Sequence, residues 1–107
     1  MNNQKKILIV EDELMLVEMY KEKLKYEGFK VSVATDGKKA IPKIKQGTDL
    51  VLLDILMPGL NGFEVLKKIK ADKNLAKIPV IVLTNIGGES VDKDKNMALS
   101  LGASDYL

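Results

Sequence analysis

The strongest constraint on the fold is the apolar run at residues 50–53, which ends in a single acid, Asp54. A strand that is apolar on both faces is typical of the interior of a parallel sheet. Because a carboxylate is costly to bury, we expect Asp54 to lie where this strand reaches the surface. Turn-forming residues follow between Pro58 and Gly62, and open α/β sheets place their chemistry at such strand ends. Asp54 is therefore the leading candidate for a functional residue.

Segments typical of strands and of helices alternate along the chain. Short apolar runs bounded by turn residues predict the strands, and apolar residues at helical spacing predict the helices. The predicted strands cover residues 5–10, 30–34, 49–54, 80–83 and 104–107, and the predicted helices cover 13–27, 36–46, a segment from 62 onward, and 91–101.

This alternation predicts a parallel sheet with right-handed crossovers. The first, third and fourth strands are apolar throughout, whereas the second alternates polar and apolar residues and suits a sheet edge. The strand order that satisfies this pattern is 2-1-3-4-5, the flavodoxin-like α/β arrangement. A length of 107 residues is that of one domain.

Helical periodicity also assigns inner and outer faces to the first and third helices. Pro42 lies beyond the first turn of the second helix, so we expect a kink or a late start there. The side chains expected to face inward are Leu16, Met19, Tyr20, Leu24, Val65, Leu66 and Ile69, and those expected to face outward are Lys67, Lys68 and Lys70.

The composition narrows the chemistry to carboxylates, hydroxyls and amines. The chain has no cysteine and no histidine, which rules out disulfides, thiolate or histidine metal sites and histidine general bases. Its net charge is only +2 and its basic residues are all lysine, which disfavours direct binding of nucleic acid through arginine–guanine contacts. The apolar run near the N-terminus is too short for a signal peptide or a membrane span. We therefore expect a cytoplasmic protein.

The predicted sheet brings four polar side chains to one edge. Glu11 and Asp12 follow the first strand, Asp54 ends the third, and Thr84 follows the fourth. Carboxylates crowded together repel one another, so that one must be protonated or a cation must bind. Oxygen ligands favour Mg²⁺, and such a site suits phosphoryl transfer. In this reading Asp54 is the nucleophile, and Thr84 donates a hydrogen bond to a phosphoryl oxygen.

Each of these residues also has an ordinary structural interpretation. Asp54 alone could cap the next helix, and Asp12 with Glu13 could simply favour a helix dipole. Thr84 alone suits a strand end, and Tyr106 alone suits an aromatic packed at a sheet edge. The functional interpretation depends on the convergence of the acids and the hydroxyl at one edge.

Five motifs together cover essentially the whole chain: residues 7–13 (ILIVEDE), 34–37 (ATDG), 49–62 (DLVLLDILMPGLNG), 78–84 (IPVIVLT) and 98–107 (ALSLGASDYL). In this combination the chain resembles the receiver domain of bacterial two-component response regulators. The most specific part is the Asp-x-x-Met-Pro-x-x-x-Gly pattern that begins at Asp54.

The resemblance implies a signalling module that accepts a phosphoryl group from a sensor histidine kinase or a phosphotransfer protein. Such a domain is not an enzyme beyond its own phosphorylation and dephosphorylation, and the phosphoryl group switches partner binding. The resemblance implies these site residues: Asp54 as phosphoacceptor, Asp12 as direct Mg²⁺ ligand, Glu11 as ligand through water, Leu56 as backbone carbonyl ligand, and Thr84 and Tyr106 as switch residues.

The chain departs from the family pattern in three places. A lysine that pairs with the phosphoryl group follows the family's Tyr-Leu pair, and this chain stops at Leu107. We therefore expect residues 1–107 to form one receiver domain that is truncated at its C-terminus and lacks the end of the fifth strand and the last helix. The apolar surface left open there would favour self-association. Asn85 replaces the small residue usually found after Thr84, which we expect to alter access to the phosphoryl group.

Three other classes of protein stay open at this point. A pseudo-receiver would keep the fold as a binding or dimerisation module without phosphorylation, and the missing lysine favours it. A phosphatase with an aspartate nucleophile would need a second aspartate where this chain has Leu56. A flavin-binding domain would need a phosphate-binding loop after the first strand, where the acids at 11–13 would repel a phosphate.

Overall fold

A computed structural model describes residues 4–54, 62–83 and 91–106 of the chain. Strands and helices alternate along it, as the sequence predicts. The strands are β1 (Lys6–Val10), β2 (Lys30–Ala34), β3 (Leu50–Asp54), β4 (Val80–Leu83) and β5 (Asp105–Tyr106), and the helices are α1 (Leu14–Tyr26), α2 (Gly37–Lys45), α3 (Gly62–Ala71) and α4 (Val91–Ser100).

The five strands form one parallel sheet in the order β2-β1-β3-β4-β5, which confirms the predicted flavodoxin-like topology. Strand β2 lies at an edge, and its alternate residues are exposed. The apolar strands β1, β3 and β4 lie inside the sheet. The chain leaves β1 toward β2 on one side and reaches β3 on the other, so the carboxyl ends of β1 and β3 flank a topological switch point.

Alternate strand residues face the main hydrophobic core, which α2 and α3 cover. Because successive strand residues point to opposite faces, this core takes every second residue of the inner strands. Its largest contributors, none more than 1% exposed, are Leu8, Val10, Val51, Leu53, Val80 and Val82 from the strands and Ile44, Val65, Leu66 and Ile69 from the helices.

The opposite face of the sheet packs against α1. Ile7 and Ile9 of β1 are buried there, together with Val17 of α1. Leu52 and Ile81 occupy the same face of β3 and β4, but both are only half-buried. Among the described residues, this face is therefore better covered over β1 than over β3 and β4.

The inner face of α1 differs from the predicted one at Met19. Leu16, Tyr20 and Leu24 are half-buried as expected, but Met19 is 53% exposed and Val17 is buried instead. The physical reason is that a helix packed on a sheet buries only a narrow strip of its surface. Consecutive helix residues point about 100° apart, so Met19 turns outward when Tyr20 turns inward.

Two further local predictions concern Pro42 and Lys70. The late start of α2 expected from Pro42 is wrong, because the helix begins at Gly37 and continues through the proline. The Asp36 carboxylate caps this helix by accepting a hydrogen bond of 2.9 Å from the Lys39 backbone N–H. Lys70 does not point outward into solvent like Lys67 and Lys68. Its ammonium donates hydrogen bonds of 3.0 Å to two backbone carbonyls in the segment between α3 and β4, those of Ala76 and Ile78.

Candidate functional site

The carboxyl ends of β1 and β3 bring Glu11 and Asp54 together. Val10 of β1 and Leu53 of β3 are register partners in neighbouring strands. Glu11 directly follows Val10, and Asp54 directly follows Leu53 as the last residue of β3. The Glu11 backbone N–H donates to the Ala34 carbonyl at 3.1 Å, which extends the pairing between β1 and β2 by one bond. This pairing fixes the Glu11 backbone at the sheet edge, beside the end of β3.

Both carboxylates are buried, with Glu11 3% and Asp54 5% exposed. Asp54 ends its strand as predicted, but the expectation that it reaches the surface there is wrong. Glu11 shares a hydrogen bond with Asp54, and this bond compensates part of the desolvation cost of the pair.

Asp12 completes an acidic cluster with Glu11 and Asp54. One carboxylate oxygen from each of the three residues lies within 4.8 Å of the other two, and Asp12 is the most exposed of them. The Glu11 carboxylate also accepts hydrogen bonds from the backbone N–H groups of Asp12 at 3.0 Å and Glu13 at 3.5 Å. These bonds hold Glu11 beneath the first turn of α1, where the Glu13 side chain makes no cap of its own.

The pKa of Glu11 is raised from 4.5 to about 8. Burial is the largest cause, and the shared hydrogen bond with Asp54 and the negative charge of Asp54 act in the same direction, whereas the two backbone N–H donors oppose the rise. At neutral pH and without a cation, Glu11 therefore holds a proton for most of the time. This agrees with the prediction that, among crowded carboxylates, one must be protonated or a cation must bind.

The donor set fits a hard divalent cation. Its three ligand atoms are all carboxylate oxygens, and Asp12, the most exposed of the three residues, gives solvent access on one side. Mg²⁺ prefers a few carboxylate oxygens and keeps several waters, which this half-open cluster allows. Softer metals would prefer sulfur or imidazole ligands, and the chain has neither cysteine nor histidine.

The structure brings together three of the predicted site residues, Glu11, Asp12 and Asp54. Leu56, Thr84 and Asn85 lie outside the described residues, as does the Tyr106 side chain. One neighbour of the site was not predicted. Tyr20 was assigned only to the inner face of α1, but its pKa is raised by burial and by the negative charges of Glu11 and Asp54. The helical periodicity that places Tyr20 on the inner face of α1, taken together with the positions of Glu11 and Asp54 at the ends of β1 and β3, could have predicted this proximity.

Comparison with known proteins supports the same class of protein. The model of the response regulator receiver domain family matches residues 7–107. The transcriptional regulatory protein CpxR of Klebsiella pneumoniae is 43% identical over 95% of this chain. This chain spans only 41% of the CpxR sequence, about two-fifths of its length.

Two solved structures have the same fold. One is the receiver domain of the sensor histidine kinase PA1611 from Pseudomonas aeruginosa, described with a magnesium ion coordinated in its active site cleft. It has a TM-score of 0.84 and 28% identity, over 97% of this chain and 84% of that one. The other is the phosphorylated cyanobacterial phytochrome response regulator RcpA. It has a TM-score of 0.87 and 31% identity, over 97% of this chain and 79% of that one.

The sheet order, the acidic edge and these matches define one class, the receiver modules of two-component signalling. The chain belongs to the response regulator receiver domain family. The resemblance inferred from the motifs is thereby confirmed, and the flavin-binding and phosphatase alternatives are not supported. Within the described parts of the chain, no helix has the length and apolar character needed to cross a lipid bilayer.

Proposed function

We propose that this chain accepts a phosphoryl group on Asp54 in a Mg²⁺-dependent reaction, with a sensor histidine kinase or a phosphotransfer protein as the donor. The observation that carries the proposal is the cluster of Glu11, Asp12 and Asp54, in which one carboxylate oxygen from each residue lies within 4.8 Å of the other two. The likeness to the magnesium-bound PA1611 receiver and to phosphorylated RcpA adds support.

In this proposal Asp12, Glu11 and Asp54 hold the metal, and the Leu56 carbonyl is a further ligand. When bound, Mg²⁺ supplies positive charge that neutralises the carboxylates and the phosphoryl oxygens. A carboxylate oxygen of Asp54 attacks phosphorus, an O–P bond forms, and the bond from phosphorus to the donor nitrogen or oxygen breaks. The electron pair of that bond leaves with the donor.

The remaining predicted residues have roles after transfer. Thr84 donates its hydroxyl hydrogen bond to a phosphoryl oxygen, and Tyr106 changes orientation as the switch. The product is a signalling state that binds its partners differently, which makes the chain a phosphoacceptor rather than an enzyme acting on other molecules. We further propose that it works in the cytoplasm and that residues 1–107 act as one receiver unit without direct contact with membrane or nucleic acid.

One observation favours a second role, self-association, which a pseudo-receiver would also show. Leu52 and Ile81 are register partners on the α1 side of the sheet, and both are only half-buried. Apolar side chains in the middle of a parallel sheet are normally covered on both faces. A second copy of the chain would bury this surface, and Leu52→Ser should then shift a dimer toward monomer in sedimentation velocity.

The deciding experiment is the intact mass of the protein after incubation with Mg²⁺ and acetyl phosphate, beside an Asp54→Asn control. We expect a single phosphoryl adduct that is stable in acid, labile in base and absent from the control. An adduct of equal yield in Asp54→Asn would refute the assignment of Asp54. A folded protein that binds Mg²⁺ but forms no adduct would instead favour the pseudo-receiver.

A further inference from the structure

A basic cavity lies at the amino-terminal edge of the sheet, opposite the edge that carries the acids. Its volume is about 180 Å³, and it lies between the starts of β1 and β2 and the end of α2. Cavities that bind drug-sized ligands usually measure about 300 Å³ or more, so this one suits a smaller ligand. The lining residues that matter here are Lys6, Lys30, Ser32, Lys43, Gln46 and Gly47.

The face of the sheet beneath α2 changes from apolar to polar toward this edge. Because strand side chains alternate between the two faces, Lys6 lies on the same face as Leu8 and Val10 of the main core. The register partners of the first two in β2 are Lys30 and Ser32, which therefore also lie on the α2 side. Both of these β2 residues are exposed. The apolar layer under α2 thus gives way to polar side chains at the cavity.

Lysine side chains from β1, β2 and α2 line the cavity together. The Lys43 ammonium donates a hydrogen bond to the Val33 carbonyl of β2, and it keeps two further N–H donors. The Lys6 ammonium lies beside Gly47, since a Cβ atom built on this glycine would be 3.6 Å from the Lys6 nitrogen. The φ of Gly47 is +116°, a conformation that favours glycine, so this part of the cavity carries no side chain.

These positive charges are not paired with carboxylates. Within the described parts of the chain, none of the three lysines forms an ion pair. Asp49 lies close to Lys6, but its carboxylate accepts a hydrogen bond of 2.7 Å from the Lys6 backbone N–H. Like charges that line one cavity repel one another, so an anion bound between them lowers the electrostatic energy.

We propose that this cavity binds a small phosphate anion, either free phosphate or the phosphate group of a small ester. Lysine suits phosphate because its ammonium acts as a point charge with several donors, and the Ser32 hydroxyl and the Gln46 amide add neutral donors. Lys6 and Glu11 are five strand positions apart, about 16 Å, so the cavity is separate from the acidic site. The inference does not depend on phosphoryl transfer to Asp54.

The first test titrates phosphate into the ¹⁵N-labelled protein at neutral pH in EDTA, where the metal-free acidic site repels anions. Potassium chloride at the same ionic strength is the reference. We expect saturable shifts of the backbone amide signals of residues 30–32 and 46–47 with phosphate, and no shifts at Glu11 and Asp54. If chloride produces the same shifts, or if phosphate shifts only signals elsewhere, the inference is wrong.

The second test uses substitutions of exposed lysines, which should leave the melting temperature nearly unchanged. Lys30→Gln removes one charge from the cavity and should weaken phosphate binding by about threefold, whereas Lys30→Arg keeps the charge and should bind nearly as well. Lys95→Gln is the matched control, because its helix α4 packs on β5 at the other edge of the sheet. Equal weakening by Lys30→Gln and Lys95→Gln would mean that phosphate responds only to net charge, and this refutes the inference.

Glycerol 3-phosphate distinguishes the two sources of the phosphate group. Binding that is tighter than that of free phosphate assigns the cavity to an ester, because the organic stem then contributes contacts. Equal or weaker binding assigns it to the free anion. If neither compound binds, the inference fails, and the proposed phosphorylation of Asp54 is unaffected.

Discussion

Glu11 and Asp54 share a hydrogen bond at the ends of two neighbouring parallel strands, with both side chains almost completely buried. Two carboxylates can share such a bond only when one of them carries a proton. Burial and the charge of Asp54 together raise the pKa of Glu11 to about 8. The metal-free site therefore holds a proton, and a cation has to displace it.

The first prediction concerns the pH dependence of stability. Glu11 has a pKa of about 8 in the folded protein and 4.5 as an ordinary carboxyl, so between these values the folded state holds a proton that the unfolded state has lost. The stabilising effect of this proton is fully present below pH 4.5 and is lost as the pH rises to about 8. We expect the free energy of unfolding to fall by about 2–4 kcal/mol across this window without metal.

Urea unfolding at a series of pH values in EDTA measures this slope, and Glu11→Gln should flatten it. Saturating Mg²⁺ should also flatten it, since the metal replaces the proton as the compensating charge. A slope that is the same in Glu11→Gln would show that another group causes it.

The second prediction concerns Asp54→Asn. The substitution removes a charge from the buried pair and keeps the shape of the side chain, so the metal-free protein should become more stable by about 1–2 kcal/mol. Mg²⁺ should then stabilise the variant much less than it stabilises the original protein. Calorimetry with and without Mg²⁺ measures both effects. Asp12→Asn, at a more exposed position, should increase the stability of the metal-free protein by a smaller amount. A decrease in stability for Asp54→Asn would contradict the idea that the charge of Asp54 destabilises the metal-free protein.

A third prediction compares two lysines of α3. Lys70 donates hydrogen bonds to the Ala76 and Ile78 carbonyls, and burial lowers its pKa. Lys70→Met leaves two partly buried carbonyls without this donor and should cost about 1–3 kcal/mol in urea unfolding. Among the described residues, Lys67 makes an exposed ion pair of 3.9 Å with Glu64, so Lys67→Met should change stability by about 0.5 kcal/mol or less. Equal effects would show that the Lys70 bonds contribute little.

The fourth prediction concerns the start of α2. The Asp36 side chain accepts a hydrogen bond from the Lys39 backbone N–H, the usual arrangement of a helix N-cap. Asp36→Ala should lower the free energy of unfolding by about 1 kcal/mol, whereas Asp36→Asn keeps an acceptor and should cost about half of that or less. Thermal unfolding followed by circular dichroism distinguishes the two. A neutral Asp36→Ala would mean that Pro42 and the core contacts of α2 alone hold the helix start.

Much of the fold could be predicted because its signals are local. The apolar run before Asp54 and the alternating pattern of β2 are each contained in a few residues, and together they determine which strands lie inside the sheet. Once the sheet order is known, the meeting of Glu11, Asp12 and Asp54 follows from the rule that parallel strands end at the same edge.

The wrong predictions concern side chains whose exposure depends on the packing of neighbouring elements. Met19 was expected on the inner face of α1 but is exposed, and Lys70 was expected outside but finds two backbone carbonyls. Periodicity gives the direction of a side chain only to within a part of a helical turn, and it does not show which carbonyls or strands will lie nearby.

The sequence by itself determined the α/β class, the strand order and the acids that would meet at the sheet edge, because hydrophobic periodicity and the end of an apolar run are properties of neighbouring residues. Only the tertiary structure decided that Glu11 and Asp54 are both buried and share a hydrogen bond, and that Tyr20 lies within their field. These properties depend on how much water is excluded between groups that are distant in the chain. No single segment of the sequence contains that information.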